Sequence, residues 1–192
     1  MSVAQLITPP DWQLLSDSQL QNFIAAEFGA DRKIIAAAKP KSSSSAFAVL
    51  EYRPIGYVDI AGQSGVNANA VASQIQEDLQ ILSNEMQLSA SEAIRWKGFV
   101  MQPKFRPQEK TLDYGIAVSF GTDVAINLYR VVLIKNGVVV LTIVCNPQEQ
   151  ASLDNSWQVK ISPEYAYANY RAGVDSKAEG NLDNIILMNE IL

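Results

Sequence analysis

The chain of 192 residues contains no histidine and a single cysteine. The absence of histidine excludes serine–histidine and cysteine–histidine catalysis, and it removes the commonest protein ligand of zinc, copper and non-haem iron. A single cysteine, Cys145, cannot form an internal disulfide, which is typical of a reducing compartment but also fits many periplasmic proteins. We expect Cys145 to be a buried, inert thiol at the end of an apolar strand.

Long apolar runs and an excess of positive charge are also lacking. The most apolar stretch, residues 131–145, is interrupted at residues 135–137 and falls short of the ~18 residues that span a bilayer. No basic-then-apolar leader precedes residue 10, although small residues at positions 2–4 are compatible with a leader that has been replaced. With a net charge of −5, the chain is poorly suited to binding nucleic acid or an anionic membrane. We therefore predict no nucleic-acid partner and no membrane span in this chain.

Sequence patterns for phosphate, calcium and nucleophilic chemistry are missing as well. The dinucleotide fingerprint, the Walker pattern and the acid-rich calcium loop do not occur. Residues 42–45 are serines near Lys39 and Lys41, but a serine–lysine nucleophile needs a desolvated lysine, and this loop is polar and flexible. Glu51 and Asp59 flank a turn and are the one carboxylate pair to consider. We predict that the chain is not an enzyme and has no catalytic residue, metal or cofactor.

Two helices are predicted in the first half of the chain. The first begins with a capping box at Ser16 and Gln19 and ends at Gly29. Its apolar positions recur at helical spacing at Leu20, Phe23, Ile24 and Phe28. The second helix follows a cap at Asn67 or Asn69. Its apolar stripe, which we expect to face the core, consists of Val71, Ile75, Leu79 and Leu82.

The second half of the chain is rich in strands. Two strands are predicted around the serine loop, and four follow at residues 94–102, 110–120, 124–135 and 138–145. Asn136-Gly137 predicts a hairpin with a type I′ turn, and the continuous apolar runs beside it predict a central hairpin with both faces covered. The first two of the four strands flank a turn that holds Pro103 and Pro107, and a last helix is predicted from Asp175 to Ile186.

This order of elements predicts an α+β fold. We expect an antiparallel β-sheet, a meander of about four to six strands, covered by helices. The length favours a single globular domain over residues 1–192.

Aromatic residues of the second half either pack the sheet or anchor an interface, and the sequence leaves both readings open. Basic residues near the proline-bearing turn are typical of an exposed turn. If the domain binds a partner, we predict that this turn and the "EYAYANYR" segment make the contact. The candidate partner-contact residues are Trp96, Lys104, Phe105, Arg106, Tyr165, Tyr167 and Tyr170.

Four short elements follow one another along most of the chain. They comprise Glu51, Tyr52, Gly56, Tyr57, Val58 and Asp59; Pro103, Phe105 and Leu112; Asn127, Tyr129, Arg130 and Gly137; and Tyr167, Tyr170, Asp175 and Ala178. Their order and spacing resemble an uncharacterised bacterial family of membrane-anchored proteins, in which Phe105 stands where the family has tyrosine and Arg106 where it has aspartate. The family's membrane-spanning tail is not present in this chain. The order of elements also resembles PsbP-like α/β sandwiches, which serve mostly as accessory, binding or immunity proteins.

The resemblance supplies no reaction and implies a place at the cell envelope, periplasmic or extracytoplasmic. The function of the family is unknown. Together with the missing catalytic patterns, the resemblance predicts a non-catalytic binding or accessory domain whose partner is another protein. An alternative is a cytoplasmic immunity-type protein that binds a toxin or effector, which applies if the chain is the complete gene product. A third is a carboxylate-based hydrolase, which requires Glu51 and Asp59 to converge in a cleft, roughly 5–10 Å apart.

Overall fold

The computed structural model describes residues 2–28, 32–149 and 151–187 and contains nine strands and three α-helices within them. The strands are β1 (Ala4–Ile7), β2 (Trp12–Leu14), β3 (Ile34–Pro40), β4 (Phe47–Arg53), β5 (Ile94–Arg106), β6 (Thr111–Phe120), β7 (Asp123–Ile134), β8 (Gly137–Cys145) and β9 (Gln158–Ile161). The helices are α1 (Asp17–Glu27), α2 (Ala68–Glu85) and α3 (Leu182–Leu187). None of the helices in these ranges has the length and apolar character needed to cross a membrane.

Seven of the strands form one antiparallel sheet in the order β2-β3-β4-β8-β7-β6-β5. Strands β5 to β8 form the predicted meander, and α2 carries the chain from β4 to the far edge of the sheet, so that β4 comes to pair with β8. The α+β fold with an antiparallel sheet is therefore confirmed. The sheet has one strand more than the four to six predicted, because β2 adds an edge strand beside β3, whereas β3 and β4 are the two strands predicted around the serine loop.

The two faces of the sheet carry separate cores. On one face, Val131 and Leu133 of β7 pack with α2 and α3 in what we call the helix-side core. On the other face, Leu128 and Ile134 pack with Leu6 of β1 and with Trp157 in the strand-side core. The β1–β9 pair forms a small second sheet over this face. The prediction that the β7–β8 hairpin is central and covered on both faces is confirmed.

The helix caps agree with the prediction, and one apolar position of α2 does not. The capping box at Ser16 is present, and the Oδ1 atom of Asn67 accepts the Ala70 N–H at 3.2 Å, which selects Asn67 as the cap. Gly29, the predicted end of α1, lies outside the described residues. Leu82 is 41% exposed, whereas Ser83 is buried with the preceding members of the stripe. The stripe continues in steps of four residues, so its next position is Ser83.

The β7–β8 turn differs from the prediction. Its two central residues are Lys135 and Asn136, and the positive φ angle occurs at Gly137 rather than at Asn136, so the turn is not of type I′. A Cβ atom at Gly137 would lie 2.1 Å from the carbonyl oxygen of Arg53. Glycine is required here because the backbone at the end of β4 passes directly over it.

Strand β5 is longer than predicted and includes Pro103, so the turn at residues 107–110 holds only Pro107. Strand β5 lies at an edge of the sheet, and its register with β6 shifts between Met101 and Lys104. A proline is tolerated at such an irregular edge position because its missing N–H removes no ladder hydrogen bond. The last helix is shorter than predicted, because it begins only at Leu182.

Candidate functional site

Four chain segments meet at one end of the seven-stranded sheet, which we call the hairpin end. They are the β5–β6 turn at residues 107–110, the β7–β8 turn at residues 135–136, the segment 54–59 after β4, and the segment 162–171 after β9. Because the strands are antiparallel, the two turns and the end of β4 lie at the same end of the sheet. The hairpin end is thus built from segments that are far apart in sequence.

Hydrogen bonds and ring contacts attach the segment 162–171 to both turns. The Lys135 N–H donates to the carbonyl oxygen of Tyr165 at 3.1 Å. The ammonium group of Lys110 lies 5.3 Å from the ring centroid of Tyr167, within the range of a cation–π contact. These contacts place the tyrosines of the segment beside the basic residues of the turns.

Three tyrosines form a stacked cluster at the hairpin end. The rings of Tyr57 and Tyr170 stack with centroids 3.8 Å apart and an interplanar angle of 13°, and the Tyr167 ring lies 4.6 Å from that of Tyr57. The Tyr167 hydroxyl donates to the carbonyl oxygen of Val58 at 2.7 Å. All three side chains are half-buried, so each keeps part of its ring at the surface.

A short parallel bridge between Tyr57 and Lys177 holds this cluster together. The Tyr57 N–H donates to the Ser176 carbonyl at 2.8 Å, and the Ala178 N–H donates to the Tyr57 carbonyl at 2.8 Å. A Cβ atom at Gly56 would lie 2.9 Å from the Ala178 nitrogen, so the close approach requires glycine. The bridge joins the first and last of the four sequence elements that carry the family resemblance.

Electrostatic interactions fix the charge states at this surface. Asp59 accepts the Ala61 N–H at 3.0 Å and pairs with the Lys177 ammonium at 3.0 Å. The backbone hydrogen bond and then Lys177 hold the pKa of Asp59 below its usual value, and Asp59 in turn raises the pKa of Lys177. Burial, with a contribution from the Tyr57 hydroxyl, raises the pKa of Tyr167. Both partners of the ion pair are therefore charged at neutral pH, and Tyr167 is neutral.

Six of the seven predicted contact residues lie at or next to the hairpin end, and Trp96 does not. These six are Lys104, Phe105, Arg106, Tyr165, Tyr167 and Tyr170. Trp96 precedes Arg106 by ten residues in β5, which corresponds to on the order of 30 Å along the strand. It packs edge-to-face on Phe99 with ring centroids 5.1 Å apart.

Phe105 and Arg106 point to opposite faces of the sheet because they are adjacent in a strand. Phe105 packs against the helix-side core. The Arg106 guanidinium donates to Asp113 at 2.7 Å and to Glu109 at 2.7 Å. Both side chains are engaged within the domain, whereas the Lys104 side chain is exposed.

Tyr57 belongs to this surface but was not among the predicted contact residues. It lies in a turn-rich stretch, where the sequence gives no periodicity that would place its ring. The signal was its position in the first of the four resembling elements. Its stacking on Tyr170 depends on the bridge to Lys177, a contact over more than a hundred residues that local patterns do not reveal.

The two carboxylates considered for hydrolysis belong to separate ion-pair clusters. Glu51 is buried between Arg32 and Arg53, with the Arg32 Nε 3.0 Å and the Arg53 Nη2 2.7 Å from its carboxylate oxygens. Burial raises the pKa of Glu51, but the hydrogen bonds from the two arginines outweigh it and hold the pKa below its usual value. Asp59, paired with Lys177 at the surface, also has a lowered pKa. Neither carboxyl group has the raised pKa of a general acid.

Two further expectations concern metal ligands and the cysteine. Within residues 2–28, 32–149 and 151–187, no three acidic or cysteine side chains are grouped so as to hold a metal ion. Cys145 is buried and unpaired, and burial raises the pKa of its thiol. Its predicted burial is therefore confirmed.

The fold and the surface together define an α+β domain with a seven-stranded antiparallel sheet and a tyrosine cluster at one end. Residues 1–187 match the family described as "Protein of unknown function (DUF2167)", and the chain belongs to this family. No curated protein and no solved structure matches the chain. The match confirms membership of an uncharacterised family. The bacterial source, the membrane anchor and the PsbP-like fold stay predictions.

Proposed function

We propose that this chain is a non-catalytic binding or accessory domain, and that another protein docks at its hairpin end. The observation that carries the proposal is the stacked cluster of half-exposed tyrosines, Tyr57, Tyr167 and Tyr170, which the bridge to Lys177 holds in place. Tyrosine supplies a large, rigid contact area with a polar tip, and it is enriched among the residues that dominate binding energy at interfaces.

Charge indicates what kind of partner fits this surface. Lys110 and Lys135 lie over the rings of Tyr167 and Tyr165, Lys104 is exposed near the same end of β5, and none of the three forms an ion pair among the described residues. These lysines put positive charge at the hairpin end, beside the exposed carboxylate of Glu164, although the whole chain carries a charge of −5. An acidic patch on the partner would therefore be attracted to the hairpin end and guided into register there.

A double substitution at the exposed part of the surface tests this proposal. Tyr170→Ala with Lys104→Ala removes one ring and one charge, and it avoids Phe105 and Arg106, whose loss would disturb the domain itself. A photo-cross-linking side chain at position 170, introduced in the native host, identifies the partner. Titration of the purified partner against wild type and the double variant should then show binding weakened about tenfold or more.

The matched control replaces one exposed aromatic residue and one exposed lysine away from the hairpin end. Phe120 is 41% exposed at the β6–β7 turn, and Lys97 is exposed on β5 next to Trp96. The double variant Phe120→Ala with Lys97→Ala should bind with unchanged affinity. Equal affinity of both double variants, or cross-linking that is no stronger at position 170 than at position 120, contradicts a contact surface at the hairpin end.

The identity of the partner also separates the remaining hypotheses. A partner resident in the cell envelope supports an accessory domain of an envelope protein. A toxin or effector captured in the cytoplasm would replace that hypothesis with the immunity-type function. Turnover of a substrate that depends on Glu51 or Asp59 would contradict the non-catalytic function.

A further inference from the structure

A polar groove of about 480 Å³ lies at the end of the sheet opposite the hairpin end. Strand β4 begins beside the groove at Phe47 and reaches the hairpin end at Arg53. The walls of the groove come from the turn before β2, from the β3–β4 loop at residues 41–46, and from the segment between β8 and β9. The groove is thus separate from the surface proposed for protein binding.

One wall of the groove is a fixed aromatic and proline surface. Trp12 is half-buried and meets the buried Trp157 ring edge-to-face, with centroids 4.8 Å apart and an interplanar angle of 71°. The Trp157 indole N–H donates to the Ser152 carbonyl at 3.1 Å, which anchors the pair. Pro10 and Pro40 line the groove next to Trp12. The contact with Trp157 holds the Trp12 ring in place without a ligand.

The opposite walls present oxygen atoms that accept hydrogen bonds. Ser44 donates its hydroxyl proton to Glu149 at 2.7 Å, and Ser152 and Ser156 donate theirs to Asp154. A hydroxyl group has a single proton, so these serine oxygens can only accept hydrogen bonds from a ligand. A ligand in the groove must therefore be rich in donors.

Two further groups in the groove have no partner within the described residues. The Asp11 carboxylate and the Ser42 hydroxyl both line the groove and make no side-chain hydrogen bond there. The described residues that line the groove include no lysine and no arginine. Phosphates and acidic ligands would meet carboxylates with no compensating positive charge, so the groove disfavours anions.

We propose that the groove binds a neutral saccharide, with the sugar ring stacked on Trp12 and its hydroxyl groups donating to Asp11, Ser42 and the serine oxygens. A sugar ring combines an apolar face with a rim of hydroxyl donors, and the groove combines the rings of Trp12, Pro10 and Pro40 with a rim of acceptors. A small organic cation is attracted by the same carboxylates and is the competing occupant. Glu149 and Asp154 already accept several hydrogen bonds each, so among the described lining residues Asp11 is the carboxylate whose side chain makes no hydrogen bond.

Binding is tested with the full chain and a defined panel of probes. The probes are glucose, galactose, mannose and N-acetylglucosamine, their common disaccharides, and spermidine as a cationic comparison, each at up to ~50 mM. Saturation-transfer NMR detects bound ligand, and ¹⁵N-labelled indole signals locate it. At least one saccharide should shift the Trp12 indole signal, while the Trp96 signal stays in place.

Asp11→Asn and Ser42→Ala should each weaken saccharide binding several-fold, and together about tenfold or more, because both remove an acceptor without touching the core. Glu164→Gln, at an exposed carboxylate of the hairpin end, is the control and should bind as wild type does. The proposal is overturned if no saccharide of the panel shifts Trp12, if spermidine binds the groove more tightly than every sugar, or if Asp11→Asn and Ser42→Ala leave binding unchanged. None of these results bears on the hairpin end, so the two proposals stand or fall separately.

Discussion

At the residue scale, single carboxylates join segments that are distant in sequence. Glu149 accepts hydrogen bonds from the hydroxyls of Ser44 and Ser45 and from their loop's backbone, and it accepts the Asn146 N–H at 3.0 Å on its other oxygen. Glu51 performs the same function between Arg32 and Arg53. The sequence shows each of these carboxylates, but it does not show their partners, since most of the contacts are long-range. The serine loop was predicted to be polar and flexible, and its attachment to Glu149 was not foreseen.

The ionisation of Glu149 makes the free energy of unfolding depend on pH. The Asn146 N–H and then Ser44 lower its pKa from 4.5 to about 2 in the folded chain. The unfolded chain therefore binds this proton more readily, so the stabilisation is complete above pH ~4.5 and is lost as the pH falls towards 2. We predict that Glu149→Gln is less stable than wild type at neutral pH and that the difference shrinks between pH ~4.5 and ~2. Urea unfolding across this range measures it.

The control for this prediction is Glu77→Gln, at an exposed carboxylate on α2 that makes no side-chain hydrogen bond to another described residue. Its stability should follow that of wild type at every pH. A difference between Glu149→Gln and wild type that stays constant from neutral pH to pH ~2 contradicts the assignment of the acid dependence to Glu149.

At the scale of elements, the helices and strands with strong local patterns were predicted. Short strands, and strand pairs that depend on distant parts of the chain, were not. The four strands β5 to β8 and the helices α1 and α2 follow from periodicity and caps. Strands β1, β2 and β9 have only three or four residues and exist because they pair with a neighbour. The pairing of β4 with β8 also depends on the path of α2 across the sheet, which no local pattern encodes.

The end of the α2 stripe gives an element-scale prediction. Ser83 is buried, and its hydroxyl oxygen accepts the Ile94 N–H at 3.0 Å and donates to the Ile94 carbonyl at 3.3 Å. These two bonds attach α2 to the start of β5. Ser83→Ala leaves a buried N–H without a partner, so we expect a loss of about 1–3 kcal/mol in the free energy of unfolding. Chemical denaturation measures it.

Ser73→Ala is the control for this change, because Ser73 is exposed on the same helix and alanine favours helix formation. Its free energy of unfolding should be unchanged or slightly higher. Hydrogen exchange should also be faster at Ile94 in Ser83→Ala and not in the control. Equal stability of both variants would show that the hydroxyl does not attach the helix to the sheet.

At the scale of the whole molecule, the two proposed surfaces could not be predicted from the sequence equally well. The residues of the hairpin end were largely named in advance, because aromatic and basic residues are concentrated in two short stretches. The polar groove was not predicted, since Trp12, Ser42 and Asp154 belong to three segments with no shared pattern. Only the folded sheet, with its two ends, brings each set together.

The prediction of a single domain can be tested at the β1–β9 pair, which joins the beginning of the chain to residues 158–161. Strand β1 pairs with β9, and Leu6 of β1 is buried in the strand-side core against Trp157. If residues 1–192 form one cooperative unit, Leu6→Ala should lower the stability of the entire chain by about 2–5 kcal/mol, not that of one face alone. Tryptophan fluorescence reports both faces, because Trp96 packs against the helix-side core.

The unfolding transitions followed by far-UV circular dichroism and by fluorescence should therefore coincide, in wild type and in Leu6→Ala. Gln5→Ala, exposed on the same strand, is the control and should change stability by less than about 0.5 kcal/mol. Hydrogen exchange in Leu6→Ala should rise on β7 and β8 as well as on β9, since the central strands contribute to both cores. Two separate transitions, or faster exchange confined to β1 and β9, would mean that the small sheet and the large sheet unfold as separate units.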